Sequence, residues 1–201
     1  HPRLLPYFDL PFQHASAPVL KAMNRRGSKE IYLELIGRIR KALPDSVIRT
    51  TFLVGFPGET EEDFKTLLAF QEEASLDWLG AFTYSREEGT PAFGMKGRVA
   101  KKTAEARKRL VEEAQVAITS ARLARLVGSE LEVLVEEEVA LADGEDGLEG
   151  EELSLGRAWL QAPEVDGLVV LRGAHKPGTL VRAKVIGVNG VDLDCLPLGR
   201  T

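Results

Sequence analysis

The run VIRTTFLVGFPGETEED, residues 47–63, constrains the fold of this chain more than any other stretch. Its first eight residues are compact and rich in β-branched side chains, which predicts a buried strand. Gly55, Pro57 and Gly58 end that strand. Thr60 and Asp63, three positions apart, predict a helix N-cap and an acid in the capping-box position. A buried strand turning through glycines into a capped helix is a β–α unit, and ligands of α/β proteins bind at such turns.

Two similar units flank it. PYFDLPF is a short strand candidate, followed by helical spacing in APVLKAMNRR and KEIYLELIGRIRKAL. In the second of these, Ile31, Leu33, Leu35, Ile36, Ile39 and Leu43 are expected on one broad side. WLGAFTYS predicts a third strand. A long amphipathic helix should follow from about Lys101 to Leu126, with Leu110, Ala114, Ala117, Ile118 and Ala121 on its apolar face and Gly128 as its stop. Three β-then-α units in series imply parallel strands, half of a six-unit barrel. Beyond Gly128, ELEVLVEEE, GRAWLQA, GLVVL, TLVRAKVIGV and VDLDCLP are short β runs between Gly-, Asp- and Pro-rich turns, the pattern of a small antiparallel barrel of about five strands. Asn189-Gly190 is its strongest hairpin signal. ADGEDGLEGEE is expected to be a solvated loop. The division is therefore placed at 1–127 and 128–201.

Charge divides the chain at the same place. Of its 26 Lys+Arg and 31 Asp+Glu, six and fifteen fall in residues 128–201, a net of −9 against +4 for residues 1–127. A barrel at −9 repels phosphate backbones and attracts a basic protein, unless the charge serves only solubility. The single cysteine, Cys195, excludes a disulfide framework and any cysteine-only metal site within these residues. His1, His14 and His175 lie far apart, so no metal site is expected. No apolar run approaches a membrane span, there is no signal-peptide pattern, and a cytoplasmic location is expected. The start at HPRLLPYFDL, without a methionine, reads as part of something longer.

Alternation along the strands assigns faces. Asp9, Pro11 and Gln13 share one, and Arg49, Thr51, Leu53 and Gly55 share another. Polar groups recur there, which suits a polar small molecule, and Gly55 lets a flat ligand approach the backbone. Phe82 and Tyr84 share a parity on the third strand and either border that ligand or simply pack. The turn lacks the P-loop lysine and the GxGxxG dinucleotide pattern.

YFDLPFQHASAPVLKAMNRRG, RTTFLVGFPGETEEDF and FTYSREEGTPA, in this order and spacing, resemble the second half of the barrel of the radical S-adenosylmethionine methylthiotransferases, and the segment after Gly128 resembles that family's TRAM domain. The resemblance implies an α/β fold: the C-terminal half of a radical-SAM (β/α) partial barrel, then a small all-β, OB-like TRAM barrel. It implies S-adenosylmethionine held at Gln13, Arg49, Thr51, Leu53, Gly55, Phe82 and Tyr84, and two [4Fe–4S] clusters in the complete protein whose cysteine ligands are not in this chain. Without those thiolates the chain alone is expected to be inactive. GRAWLQAPEVDG is similar to the branch that transfers a methylthio group to an aspartate β-carbon of a small-subunit ribosomal protein. The acidic barrel would then bind that protein, with tRNA, the substrate of the other branch, less favoured. A non-catalytic module for a basic protein is the rival from another class.

Several roles stay open at this level. Arg49 either holds the cofactor carboxylate or pairs with Asp9. His14 is a general base or a residue bonded to backbone. Glu59 fits the family's strand motif and also suits a helix N-terminus, the role we favour. Arg25 and Arg26 contact substrate or complement a helix C-terminus. Cys195 reads as a small core hydrophobe.

Overall fold

The computed structural model describes residues 4–140 and 152–199. Contacts divide the chain into two compact units, His1–Ile118 and Thr119–Thr201.

In the first unit, β1 (Tyr7–Asp9), β2 (Val47–Val54) and β3 (Trp78–Thr83) form a three-stranded sheet in the order β1-β2-β3, with both pairings parallel. The helices are α1 (Ala17–Ala22), α2 (Lys29–Ala42), α3 (Glu61–Ala74) and most of α4 (Lys101–Ala124), whose residues from Thr119 on are counted with the second unit. β2 alternates as its sequence predicts: Ile48, Thr50, Phe52 and Val54 are buried, while Arg49, Thr51 and Leu53 are half-buried on the opposite face. The buried face meets an aromatic cluster in which Phe12, Tyr32 and Phe52 surround Phe70, at centroid separations of 5.6, 5.9 and 6.0 Å. Edge-to-face and tilted pairs at such distances add to the burial energy of the rings. Buried Thr50 ties the chain beyond β1 to the sheet, donating to Leu10 O (2.7 Å) and accepting from the Phe12 N–H (3.2 Å).

Three helices differ from expectation in instructive ways. α1 ends at Ala22, with Asn24 in the left-handed region at φ 56°, so Arg25 and Arg26 lie beyond it; Arg25 donates to Pro11 O (3.1 Å). α2 buries Tyr32 and Ile36, while Ile31 and Leu43 are exposed. Tyr32 reaches the aromatic cluster, which rotates the helix away from a purely aliphatic stripe. α4 buries Ala104, Arg107, Val111, Gln115, Thr119 and Leu123, with Leu110 exposed. Its buried face is set by polar partners: Gln71 of α3 donates to Val111 O (2.9 Å) and Gln115 Oε1 (3.1 Å), and Gln115 donates to Leu76 O (2.9 Å). α3 starts as its sequence dictates, with a full capping box between Thr60 and Asp63.

The second unit holds a closed barrel, β4-β5-β6-β8-β7, built from β4 (Glu130–Ala140), β5 (Glu152–Arg157), β6 (Val169–Arg172), β7 (Leu180–Asn189) and β8 (Asp192–Pro197). Four pairings are antiparallel, but β6 and β8 run parallel, which departs from the all-antiparallel expectation. GRAWLQA is not a strand of its own: β5 ends at Arg157 and the chain turns after it. Asn189 pairs with Asp192 across the expected hairpin, where Gly190 sits at φ 63°, a conformation the two-residue turn demands. Val133, Val135, Val169, Leu171, Ala183, Val185, Leu193 and Cys195 fill the interior. Burial pushes the Cys195 thiol up to about 11, with the neighbouring Asp194 carboxylate adding to the shift. It is a core residue. The acidic loop expectation falls on residues 142–152, of which 142–151 lie outside the described residues and Glu152 begins β5. No helix of the described residues is long and apolar enough to cross a membrane.

Candidate functional site

The candidate site lies at the carboxyl ends of the three parallel strands, where β2 turns into α3. Gly55 makes this turn at φ 79°, and a side chain there would come within 2.5 Å of the Ala104 Cβ. Both facts require glycine. The turn is held from below by Glu59, which is buried. Its Oε2 accepts the N–H of Gly55 (2.6 Å) and of Phe56 (3.2 Å), and its Oε1 accepts Arg107 Nη1 of α4 (2.6 Å). Arg107 also reaches Glu61 (3.1 Å) and lies over the Phe64 ring. Burial raises the Glu59 pKa above its ordinary value, with Arg107 and the two N–H donors pulling the other way. The carboxylate is thus a fixed backbone clamp, a structural role but a different one from the helix N-terminus favoured from sequence.

His14 belongs to the same cluster. It is fully buried, its Nδ1 accepts the Ser16 N–H (3.0 Å), and its Nε2 lies 3.8 Å from Glu59 Oε2. Desolvation lowers its pKa to about 4, with Asp63 opposing and Arg107 assisting. Neutral and enclosed, His14 shapes the loop after β1. Ser16 in turn donates to Asp63, which also caps α3 through Thr60.

The seven proposed site residues fall into two groups. Gln13, at φ 67°, bridges to β2 by donating its N–H to Thr51 O (2.8 Å) and accepting from the Leu53 N–H (2.7 Å). Arg49, Thr51 and Leu53 occupy the sheet face turned away from the core, and Arg49 pairs with Asp9 at 3.1 Å. Phe82, paired with Leu53 across the parallel register, is 55% exposed on that face. Arg49 and Phe82 both come within 3.5 Å of where a side chain on Gly80 would begin, so they share one surface. Gly55 and Tyr84 instead line a separate cavity of about 420 Å³ with Pro57, Thr83, Ser85, Arg86, Ala92, Met95, Arg98, Val99, Lys101 and Ala104. Tyr84 packs edge-on against Phe56 at 5.2 Å.

Sequence reasoning missed Arg107 and the cations of this cavity. Arg107 sits among many charges on α4, and nothing local marks it as the one turned inward. Arg86 was visible only as part of a quoted motif.

Residues 3–70 match the Radical SAM superfamily model, and residues 127–195 match the TRAM domain model. A ribosomal protein uS12 methylthiotransferase RimO of Treponema denticola is 47% identical over 211 residues, covering 96% of this chain and 44% of that protein. Proteins of the same name from Desulfosudis oleivorans and Thermotoga maritima are 48% and 44% identical, over 94% and 91% of this chain and 41% and 40% of their own lengths. The chain thus spans about two fifths of the length of the curated relatives it matches. With a segment matching the Radical SAM superfamily model, a segment matching the TRAM domain model and identities of this size along nearly all of its length, the chain is similar to about two fifths of the length of these ribosomal protein uS12 methylthiotransferases.

Proposed function

We propose that this chain is the C-terminal part of an enzyme that transfers a methylthio group to the β-carbon of an aspartate in ribosomal protein uS12. The observation that carries the reading is the 47% identity, spanning both segments, to a protein named as a ribosomal protein uS12 methylthiotransferase; the aspartate β-carbon comes from the family resemblance. The clamped turn at Gly55 supports it, because it presents a bare backbone at the strand ends where a flat cofactor would lie.

S-adenosylmethionine fits the residues present. Gly55 offers close backbone approach, Gln13, Thr51 and Arg49 offer polar groups on the open sheet face, and Leu53, Phe82 and Tyr84 offer apolar surface. Bound beside an iron–sulfur cluster, it supplies abstraction of hydrogen from an unactivated carbon. This chain's own contribution is to hold and orient the cofactor and to exclude water. The clusters do not fit these residues: Cys195, the single cysteine, is enclosed in the barrel, and cluster iron needs several thiolates. The ligands of both proposed [4Fe–4S] clusters therefore belong to the parent protein outside these residues, and the chain alone is expected to be inactive.

Residues 128–201, at −9, are the proposed docking module for uS12, a basic protein being the complement of that charge. The cross-strand ion pairs on the barrel, Arg182–Glu130 and Arg157–Glu136, both at 2.7 Å, leave part of its positive charge already neutralised. That disfavours an RNA backbone. A cytoplasmic location is part of this reading, since the proposed substrate is a ribosomal protein.

The test is incubation of the complete parent protein, clusters reconstituted, with small ribosomal subunits and separately with tRNA. Mass spectrometry should find the methylthio group on an aspartate of uS12. Finding it on tRNA, or on neither, overturns the reading.

A further inference from the structure

The cavity beside Gly55 gathers more positive charge than S-adenosylmethionine, with one carboxylate against a sulfonium and an ammonium, would need. Arg86, Arg98 and Lys101 line it, and no carboxylate does so among the described residues. The rest of its lining includes the apolar residues Pro57, Ala92, Met95, Val99 and Ala104. The Tyr84 hydroxyl, buried at the wall, has no hydrogen-bond partner among the described residues. A buried hydroxyl of this kind needs a hydrogen-bond partner, which a ligand oxygen in the cavity or a water can supply.

The cations are held in different ways. Arg86 donates its Nε to Phe93 O (2.9 Å) while its guanidinium lies 3.6 Å from the centre of the Phe93 ring. Stacking and the backbone bond fix the plane and leave both terminal nitrogens unassigned, the preorganised fork that carboxylates accept. Arg98 has no carboxylate partner among the described residues. Lys101 meets only Glu105, at 3.7 Å, with both side chains more than half exposed. Such a pair is worth little and exchanges easily for another anion. Glu87 is engaged by Ser85 (2.7 Å) and does not line the cavity.

We propose that this cavity seats the side-chain carboxylate of the substrate aspartate, with Arg86, Arg98 and Lys101 as the groups that select it. The apolar lining suits the flanking peptide, and the volume lies within the range of small-ligand sites. The anionic class follows from the cavity; its assignment to an aspartate rests on the function proposed above. Selection of the acid matters chemically, because a site built around charge-assisted bonds rejects the isosteric amide far better than a shape-only pocket does.

The test measures fluorescence anisotropy of labelled peptides with the complete parent protein. One peptide carries aspartate at the centre of a basic uS12-like sequence, and a second carries asparagine there. Inorganic phosphate and a single-stranded oligonucleotide serve as competitors. The aspartate peptide should bind about tenfold tighter than the asparagine peptide, as loss of a charge-assisted bond implies. The double variant Arg98→Gln with Lys101→Gln should erase this preference. The charge-preserving double variant Arg98→Lys with Lys101→Arg should retain most of it. Lys96→Gln, in the same segment but outside the cavity lining, should change nothing. Equal binding of the two peptides, or a preference that survives the double Gln variant, overturns the proposal. So does displacement by phosphate or oligonucleotide more effective than by unlabelled peptide, which would make the cavity a phosphate site. Transfer to uS12 without an aspartate preference in binding would sink this inference alone. A preference without transfer would sink the reaction and leave the site.

Discussion

Glu59 shows why one residue can hold a site together without touching a ligand. Its two oxygens join the Gly55–Phe56 backbone to Arg107, so that a turn of β2 and the start of α4 share one carboxylate. Glu59→Gln leaves Arg107 buried with only the partly exposed Glu61 to face it. Removing one member of a buried pair costs about 3 kcal/mol or more, and urea titration of the variant should show that loss. His14 carries the pH dependence. Its folded pKa of about 4 lies below the unfolded value of 6.5, so the unfolded chain binds the extra proton first. The stability linked to His14 is present above pH 6.5 and is lost as pH falls toward 4. Full expression of the shift corresponds to about 3 kcal/mol. His14→Asn keeps an acceptor for the Ser16 N–H but cannot titrate. Thermal unfolding between pH 7 and 4 should therefore slope less steeply in the variant; an unchanged slope would assign the pH effect to other groups.

At the scale of elements, α4 gives a clean discrimination. Val111 is fully buried and its neighbour Leu110 is about half exposed. Val111→Ala should cost about 2 kcal/mol from the lost methyls and the space left behind, and Leu110→Ala under about 0.5 kcal/mol. The reverse order in chemical denaturation would mean that α4 is rotated. This pair also marks what the sequence could reveal. β2 was legible to the residue, because alternation and β-branching agree along all of it. The α3 capping box was legible because Thr60 and Asp63 act within one turn. The face of α4 was not, because Arg107, Gln115 and Thr119 are buried by partners more than thirty residues away or by packing that hydropathy does not encode. Tyr32 was overlooked beside Ile31 for a related reason: an aromatic cluster outbid an aliphatic stripe. At the site, parity found the open face of β2, but it joined Phe82 to Tyr84, which the end of β3 sends to different surfaces.

For the molecule as a whole, the sheet of the first unit is finished on one side and open on the other. Helices cover the face of Phe52, whereas Arg49, Thr51, Leu53 and Phe82 remain accessible, and among the described residues β1 and β3 each have a single sheet neighbour. Open edges recruit other strands. Size-exclusion chromatography of the 201-residue chain should accordingly show an apparent mass that rises with concentration; a constant monomer would indicate that the edges are protected. The barrel of the second unit presents the opposite case. Its last strand, β8, lies between β6 and β7 rather than at an edge. During synthesis, no arrangement of the earlier strands can complete the ring, so the module stays unfinished until residues 192–197 have left the ribosome. A frameshift or stop before residue 192 would remove the keystone rather than a fringe, and would expose two facing strands at once.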